Sequence, residues 1–379
     1  LDARRAPARR DRGRAARLVS SPPREPRVSV VMAVHDGERY VGEAVDSVLA
    51  QSFRDLELLV VDDGSTDRTV EIVRERADPR VRVLSNARNL GLAPSLNVGL
   101  AEARGAFVAR LDADDVALPA RLARQVAFMD ANRDVALLGS WYREMAADGT
   151  SGAPVRVPTG HWDLRWHLCL YSPFAHSAML WRRELVAREI GSYDERLTYS
   201  MDYDLWRRIA ERLFVANVPE YLVRLRAHAG SMTSTFGDRR NEGLRIQAAH
   251  AARLLGWPAE RGEENERRLR RLYRMLIGAP LDRSQPELLA DVAEVLRLHE
   301  AFAAEAQMPR NEAERQQREI RAQLARQLLW VSRTAKADGR RGASAALLRA
   351  VVELSPRALL GRAAVDAGIG VAARALRRP

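Results

Sequence analysis

Two runs of carboxylates stand where short β-branched stretches end. Leu56 to Val61 leads directly into Asp62, Asp63, Gly64, Ser65, Thr66 and Asp67. Adjacent acids at a strand end can accept hydrogen bonds from a ribose or a base edge, Gly64 permits the turn, and Ser65 or Thr66 can cap the next helix. Ala106 to Leu111 ends in Asp112, Ala113, Asp114 and Asp115. Residues i and i+2 of an extended segment point the same way, so Asp112 and Asp114 share a face and Asp115 is left to cap a helix. Carboxylates so clustered repel one another and would repel a diphosphate, which makes sense with a divalent cation between them. An all-oxygen donor set favours Mg²⁺ or Mn²⁺. Taken singly, each run has a plainer reading as turn and helix-cap chemistry.

The elements that would position these acids are legible. Val28 to Val34 reads as a strand, and Val41, Ala44, Val45, Val48 and Leu49 follow at helical spacing. Further strands are expected at Leu56 to Val61, Val81 to Leu84 and Ala106 to Leu111. Helices are expected from about Asp67, over Leu92 to Ala103 and over Leu118 to Asp130, with Pro119 in the first turn of the last. Strands alternating with helices predict right-handed crossovers and a largely parallel sheet, whose ligands bind at the carboxyl ends of the strands. From about Gly237 the strand pattern stops. Arg240 to Leu255, Glu264 to Leu276, Pro286 to Ala306, Asn311 to Ser332 and Ala343 to Leu354 read as helices. The expected domains are a basic tail over 1–26, an α/β domain over 27–236 and a helical region over 237–379.

The chain's 379 residues suffice for two or three domains, and 46% hydrophobic with 29% charged residues is ordinary globular composition. No apolar run approaches the roughly 20 residues that span a bilayer, and the Arg- and Pro-rich start has no signal-peptide core. The single cysteine, Cys169, excludes an internal disulfide framework and a cysteine zinc cluster. Much of the formal +11 charge lies in residues 1–27, with nine arginines against Asp2, Asp11 and Glu25. Such a tail could touch acidic lipid or nucleic acid, but nothing else points to a specific nucleic-acid partner. Lys336 follows Ala335 rather than glycine, so there is no P-loop. Gly368-Ile-Gly370 lies too near the end for a dinucleotide-binding βαβ unit.

The motifs together resemble the family 2 nucleotide-sugar glycosyltransferases of GT-A fold. Val28 to Val34 with His35-Asp36-Gly37-Glu38, Asp62 to Asp67, Asn89-Leu90-Gly91-Leu92 and Asp112 to Asp115 occur in that family's order. So do His176 to Leu180, Gly191 to Glu195, Met201 to Trp206 and Arg226 to Ser231, so the likeness covers about residues 27 to 236. The resemblance implies a Rossmann-like, mostly parallel sheet flanked by helices. It places the donor nucleoside on the first strand end, Ala33 and His35, and on Asp62 and Asp63. Asn89 and Gly91 resemble the loop beneath the nucleotide. Asp112 and Asp114 look like the Asp-x-Asp motif that holds Mn²⁺ or Mg²⁺ against the donor diphosphate, and His228 resembles a histidine completing that metal site.

Asp202 is the expected general base. It lies three and four residues before Leu205 and Trp206, on the apolar side of its helix, whereas Asp204 goes with Arg207 and Arg208 on what reads as the solvent side. Met201 stands where the family more often has Glu. The expectation is one-step displacement with inversion: a carboxylate takes the acceptor hydroxyl's proton while a metal stabilises the departing nucleoside diphosphate. The acceptor would be a glycan or lipid-linked glycan in cell-envelope polysaccharide synthesis. The resemblance adds a cytoplasmic location and leaves open peripheral contact at the inner face of the plasma membrane. Trp141, Tyr142, Trp162, Trp166, Tyr171 and Phe174 lie between the metal motif and the base, in the stretch expected to hold acceptor-binding elements. Rival readings are a noncatalytic scaffold of the same fold and a sugar-phosphate nucleotidyltransferase.

Overall fold

A computed structural model describes residues 25–231, 241–279, 283–356 and 358. Most of the expected basic tail and of the segment Ala358 to Arg378 therefore lies outside the described residues.

The four strands foreseen from the first half of the sequence form one parallel group: β1 (Val28–Val34), β2 (Leu56–Asp62), β3 (Val81–Ser85) and β4 (Phe107–Arg110). They are joined by α1 (Val41–Leu49), α2 (Thr69–Arg74) and α3 (Leu92–Glu102). Every residue of β1 and β2 is buried, because helices cover both faces of this part of the sheet. Alternate side chains accordingly feed two cores. Val28, Val30 and Met32 join one with α1, while Val31 and Ala33 join another with α3 and the helix that carries Asp202.

The rest of the sheet is mixed. After β5 (Val116–Ala117) and α4 (Arg121–Ala131) come β6 (Val135–Ala146), β7 (Ser151–Val155), α5 (His161–Leu168), β8 (Leu180–Arg182), α6 (Arg183–Glu189), α7 (Met201–Arg212) and β9 (Phe214–Ala227). The order is β3-β2-β1-β4-β8-β6-β9-β5, with β7 on β6. β8 is antiparallel to both β4 and β6, β5 is antiparallel to β9, and β6 runs parallel to β9. A largely parallel sheet is thus correct for one half only. The β6–β7 reversal is tight: Gly149 has φ +88° and Asp148 accepts from the Thr150 amide. A turn that short can only return the chain antiparallel.

The helical region follows as α8 (Asn241–Leu255), α9 (Gly262–Leu276), α10 (Gln285–Glu305), α11 (Arg310–Ala337) and α12 (Arg341–Leu354). Its core includes Leu269, Leu272, Val295, Leu298, Leu324 and Leu328, together with Trp166, Cys169 and Leu170 at and beyond the end of α5. The α5 segment is therefore shared between the two units. Gln316 on α11 bonds the Trp162 carbonyl and Asp163, and Arg315 pairs with Asp163 at 2.9 Å. Among the described residues no helix is long and apolar enough to cross a membrane.

Candidate active site

Register places the chemistry. Val34 lies beside Asp62, and Val31 beside Arg110, so the loops that leave β1, β2 and β4 emerge side by side at one sheet edge. They line a cavity of about 750 Å³ that contains Ala33, His35, Asp63, Asn89, Gly91, Asp112, Asp114 and His228. Asp62 is directed elsewhere. Its carboxylate accepts the Ser65 amide at 3.1 Å and shapes the turn after β2, which is the plainer role open to it from the sequence.

Asp63 is a keystone of this cavity. Asn86 donates to it at 2.8 Å, and the Leu90 and Gly91 amides donate at 2.9 Å each. Burial raises its pKa, but these donors and Ser95 outweigh burial and hold the carboxyl below its ordinary value. They fill the lone pairs of the two oxygens, so Asp63 fixes the loop that carries Asn89 and Gly91. Gly64 (φ +73°) is required at this crossing, since a Cβ there would lie 2.7 Å from the Arg88 backbone. His35 Nδ1 lies 3.0 Å from the Asp63 carbonyl, which ties the β1 and β2 loops together.

The acidic run after β4 divides into three roles. Asp112 is clamped by the buried Arg110 guanidinium and by the Ser177 hydroxyl at 2.8 Å. Burial pushes its carboxyl up, but Arg110 leads the groups that outweigh burial and hold it below the usual value. His176 stands 4.0 Å from Asp112; burial and Arg110 push its pKa down to about 3, so it is a neutral ring. Asp115 is buried, bonded to Ser177 and to the Arg226 amide. Burial and the charges of Asp112 and Asp114 push it well above the ordinary range. Asp114 meets His228 Nε2 at 2.9 Å, and both side chains open onto the cavity. Burial and Asp112 raise the Asp114 carboxyl in spite of His228.

Asp202 sits in the first turn of α7, where its carboxylate accepts the Tyr203 amide at 2.7 Å. It lines a second cavity of about 430 Å³ with Tyr142, Glu144 and His176. Leu92, Asp112, Asp114, Tyr199 and Ser231 line both cavities, so the two meet at a common wall. Burial is the main cause that pushes the Asp202 pKa up to about 6, with the charge of Asp112 adding to it. Leu205, Trp206 and Ile209 are buried beneath, as the helix periodicity requires. Asp204 corrects the sequence reading, since it is 8% exposed and held by Arg207 and Arg208 rather than facing solvent.

The family model for glycosyl transferase family 2 matches residues 29–179. An uncharacterized glycosyltransferase from Haemophilus influenzae is 31% identical over 228 residues, 57% of this chain and 70% of the relative. The chain belongs to glycosyltransferase family 2. An amylovoran biosynthesis glycosyltransferase from Erwinia amylovora, AmsE, is 31% identical over 52% of this chain and 76% of its own. The fold of this glycosyltransferase is shared with S. aureus TarS residues 1–349, solved in complex with UDP-GlcNAc. That match has a TM-score of 0.52 and 18% identity and covers 87% of this chain and 91% of that one. The architecture is therefore GT-A with a helical C-terminal region.

Among the described residues no group of three or more His, Cys, Asp or Glu side chains is arranged to hold a metal ion unaided. Asp114 and His228 form a pair, which fits a cation that takes its remaining ligands from a diphosphate and water. Several residues that build the site were not singled out from the sequence, although Arg226 opens the Arg226 to Ser231 motif. Tyr40 packs on His228 with ring centroids 4.9 Å apart, and its buried hydroxyl has no hydrogen-bond partner among the described residues. Arg226 covers the Tyr40 ring, bonds the Asp114 carbonyl at 2.8 Å and pairs with Glu43. Glu242 on α8 accepts the Thr198, Tyr199 and Ser200 amides at 3.2, 2.8 and 3.0 Å. It thereby holds the approach to α7, whose N-cap residue, Ser200, makes no side-chain cap of its own. Each contact joins residues far apart in the chain, which periodicity does not register.

Proposed function

We propose that this glycosyltransferase moves a sugar from a nucleoside diphosphate sugar to a hydroxyl of a polysaccharide precursor, with inversion at the anomeric carbon. The observation that carries this reading is the common wall of Asp112 and Asp114. On one side lies the 750 Å³ cavity, large enough for a nucleotide sugar, and on the other the pocket of Asp202. A donor lying across the wall would offer its anomeric carbon to a hydroxyl beside Asp202. Asp202 takes the proton of that hydroxyl as the new bond forms, and attack from the face opposite the nucleotide inverts configuration. A divalent cation held by Asp114 and His228 would supply positive charge to the departing diphosphate. Arg110 keeps Asp112 ionised at the wall, and Asp63 holds the Asn89–Gly91 loop beneath the nucleoside. The UDP-GlcNAc complex of the similarly folded TarS and the amylovoran role of AmsE support the donor and product classes.

The test is a panel of labelled nucleotide sugars, each assayed with Mn²⁺, Mg²⁺ or EDTA for hydrolysis and for transfer to size-fractionated envelope glycans and lipid-linked glycans. One donor should turn over with metal, stop with EDTA, and give product of inverted configuration. Product of retained configuration would overturn Asp202 as base. Binding of nucleotide sugar without any turnover would favour the noncatalytic scaffold.

A further inference from the structure

The aromatic residues between the metal motif and the base divide into three groups in the structure. Trp141 and Trp162 make local contacts with Tyr221 and His161, and Phe174 is core. Tyr142 lines the Asp202 pocket. Trp166 and Tyr171 line another cavity, of about 290 Å³, at the junction of α5 with α9 and α11. Nothing in the proposed reaction at Asp202 uses this junction.

Its lining has the chemistry of a sugar site. Tyr171 and Tyr273 meet at a tilt of 47° with ring centroids 5.2 Å apart, and His167 meets Tyr171 edge-on. Among the described residues neither phenol hydroxyl nor His167 Nε2 makes a hydrogen bond, while His167 Nδ1 faces the Asp163 carbonyl. Gln323 donates to the Leu276 carbonyl and keeps its own oxygen for a ligand. Apolar ring faces bordered by unspent hydroxyl, imidazole and amide groups suit a pyranose, which presents C–H on its faces and hydroxyls at its rim. The volume equals that of about ten waters, room for about one hexose with its solvent. Ile277, 52% exposed, stands at the mouth.

The junction also adjoins the acceptor side of the active site. Tyr142 pairs with Val155 on β7, and Pro158, just beyond that strand, lines the junction cavity.

We propose that the junction of α5, α9 and α11 is a remote subsite for the acceptor, binding an uncharged sugar one or more residues behind the reacting one. This rests on the glycan acceptor proposed above and adds that the acceptor is an oligosaccharide whose length the helical region senses.

The test uses the full-length enzyme with its turned-over donor and envelope glycans fractionated into acceptors of one to four sugars. The wild type should show a lower KM for the longer acceptors. Tyr273→Ala should raise KM for these about tenfold, the loss of one good stacking contact, while one-sugar acceptors show no comparable change. Ile277→Trp, an exposed substitution that obstructs the mouth without touching the core, should do the same. Both variants should keep the donor KM, read from hydrolysis by water, and the wild-type melting temperature for Ile277→Trp. Equal KM for long and short acceptors, or no effect of either variant on long acceptors, would overturn the subsite. Absence of donor turnover even to water would instead overturn the reading of the active site, and the subsite with it.

Discussion

Asp202 offers two roles that stability measurements separate. As a helix-terminal carboxylate it would stabilise α7, and its removal would lower stability. Its environment argues the reverse. With a folded pKa pushed up to about 6, above the ordinary 3.8, the folded state holds the proton more tightly than the unfolded chain. The destabilisation is therefore absent when the group is protonated, grows as pH rises from 3.8 to about 6, and is constant above that. Asp202→Asn, which keeps an acceptor for the Tyr203 amide, should gain on the order of 1 to 3 kcal/mol at pH 8 by chemical denaturation. The same variant should lose roughly 10² to 10⁴ in kcat. Lower stability together with unchanged turnover would make Asp202 a cap. In the wild type, kcat/KM should fall on the acid side at or below about pH 6, because a bound cation can only lower this pKa further. At Asp114 the opposite sensitivity is expected: Asp114→Ala should abolish Mn²⁺-dependent donor binding, measured by calorimetry, while leaving the fold intact.

At the scale of elements, the strand ends were readable because a buried parallel strand announces itself as an apolar run and its loop as an acid or glycine. Asp62, Asp63, Asp112 and Asp114 were found that way. What the pattern could not decide is which acid faces the cavity and which faces its own turn. Asp62 and Asp63 are neighbours of the same type, and only the position of Ser65 and of the Leu90–Gly91 amides separates them. Antiparallel β8 was likewise illegible, being three residues after a 3₁₀ turn. The seating of α7 depends on Glu242, more than forty residues beyond the amides it accepts. Glu242→Ala should cost about 1 to 2 kcal/mol, the worth of a lost cap, and should lower kcat with little change in donor KM. A donor KM that rises as much as kcat falls would show that Glu242 supports the nucleotide cavity instead.

Over the whole molecule, the two units are joined by α5 rather than merely tethered. Cys169, the chain's single cysteine, lies in this joint, buried in the helical region's core. Burial pushes its thiol up to about 12, so it stays protonated and unreactive at ordinary pH. Native protein should resist a thiol reagent at pH 8 and become reactive only under denaturant concentrations that open the joint. Modification as fast as that of a free thiol would mean that the units part readily. The helical region's existence was plain from sequence, but its purpose was not, since amphipathic helices look alike whether they cover a membrane, a partner or their own domain.

The reach of Glu242 back to the start of α7 has a consequence for how the enzyme comes into being. α8 packs so closely there that a side chain on Gly243 would meet Ser200 Oγ at 2.9 Å. A growing polypeptide that has released only the sheet and α7 from the ribosome thus lacks the carboxylate that accepts the Thr198, Tyr199 and Ser200 amides. The seating of Asp202 is completed late in synthesis, once the first turn of α8 has emerged.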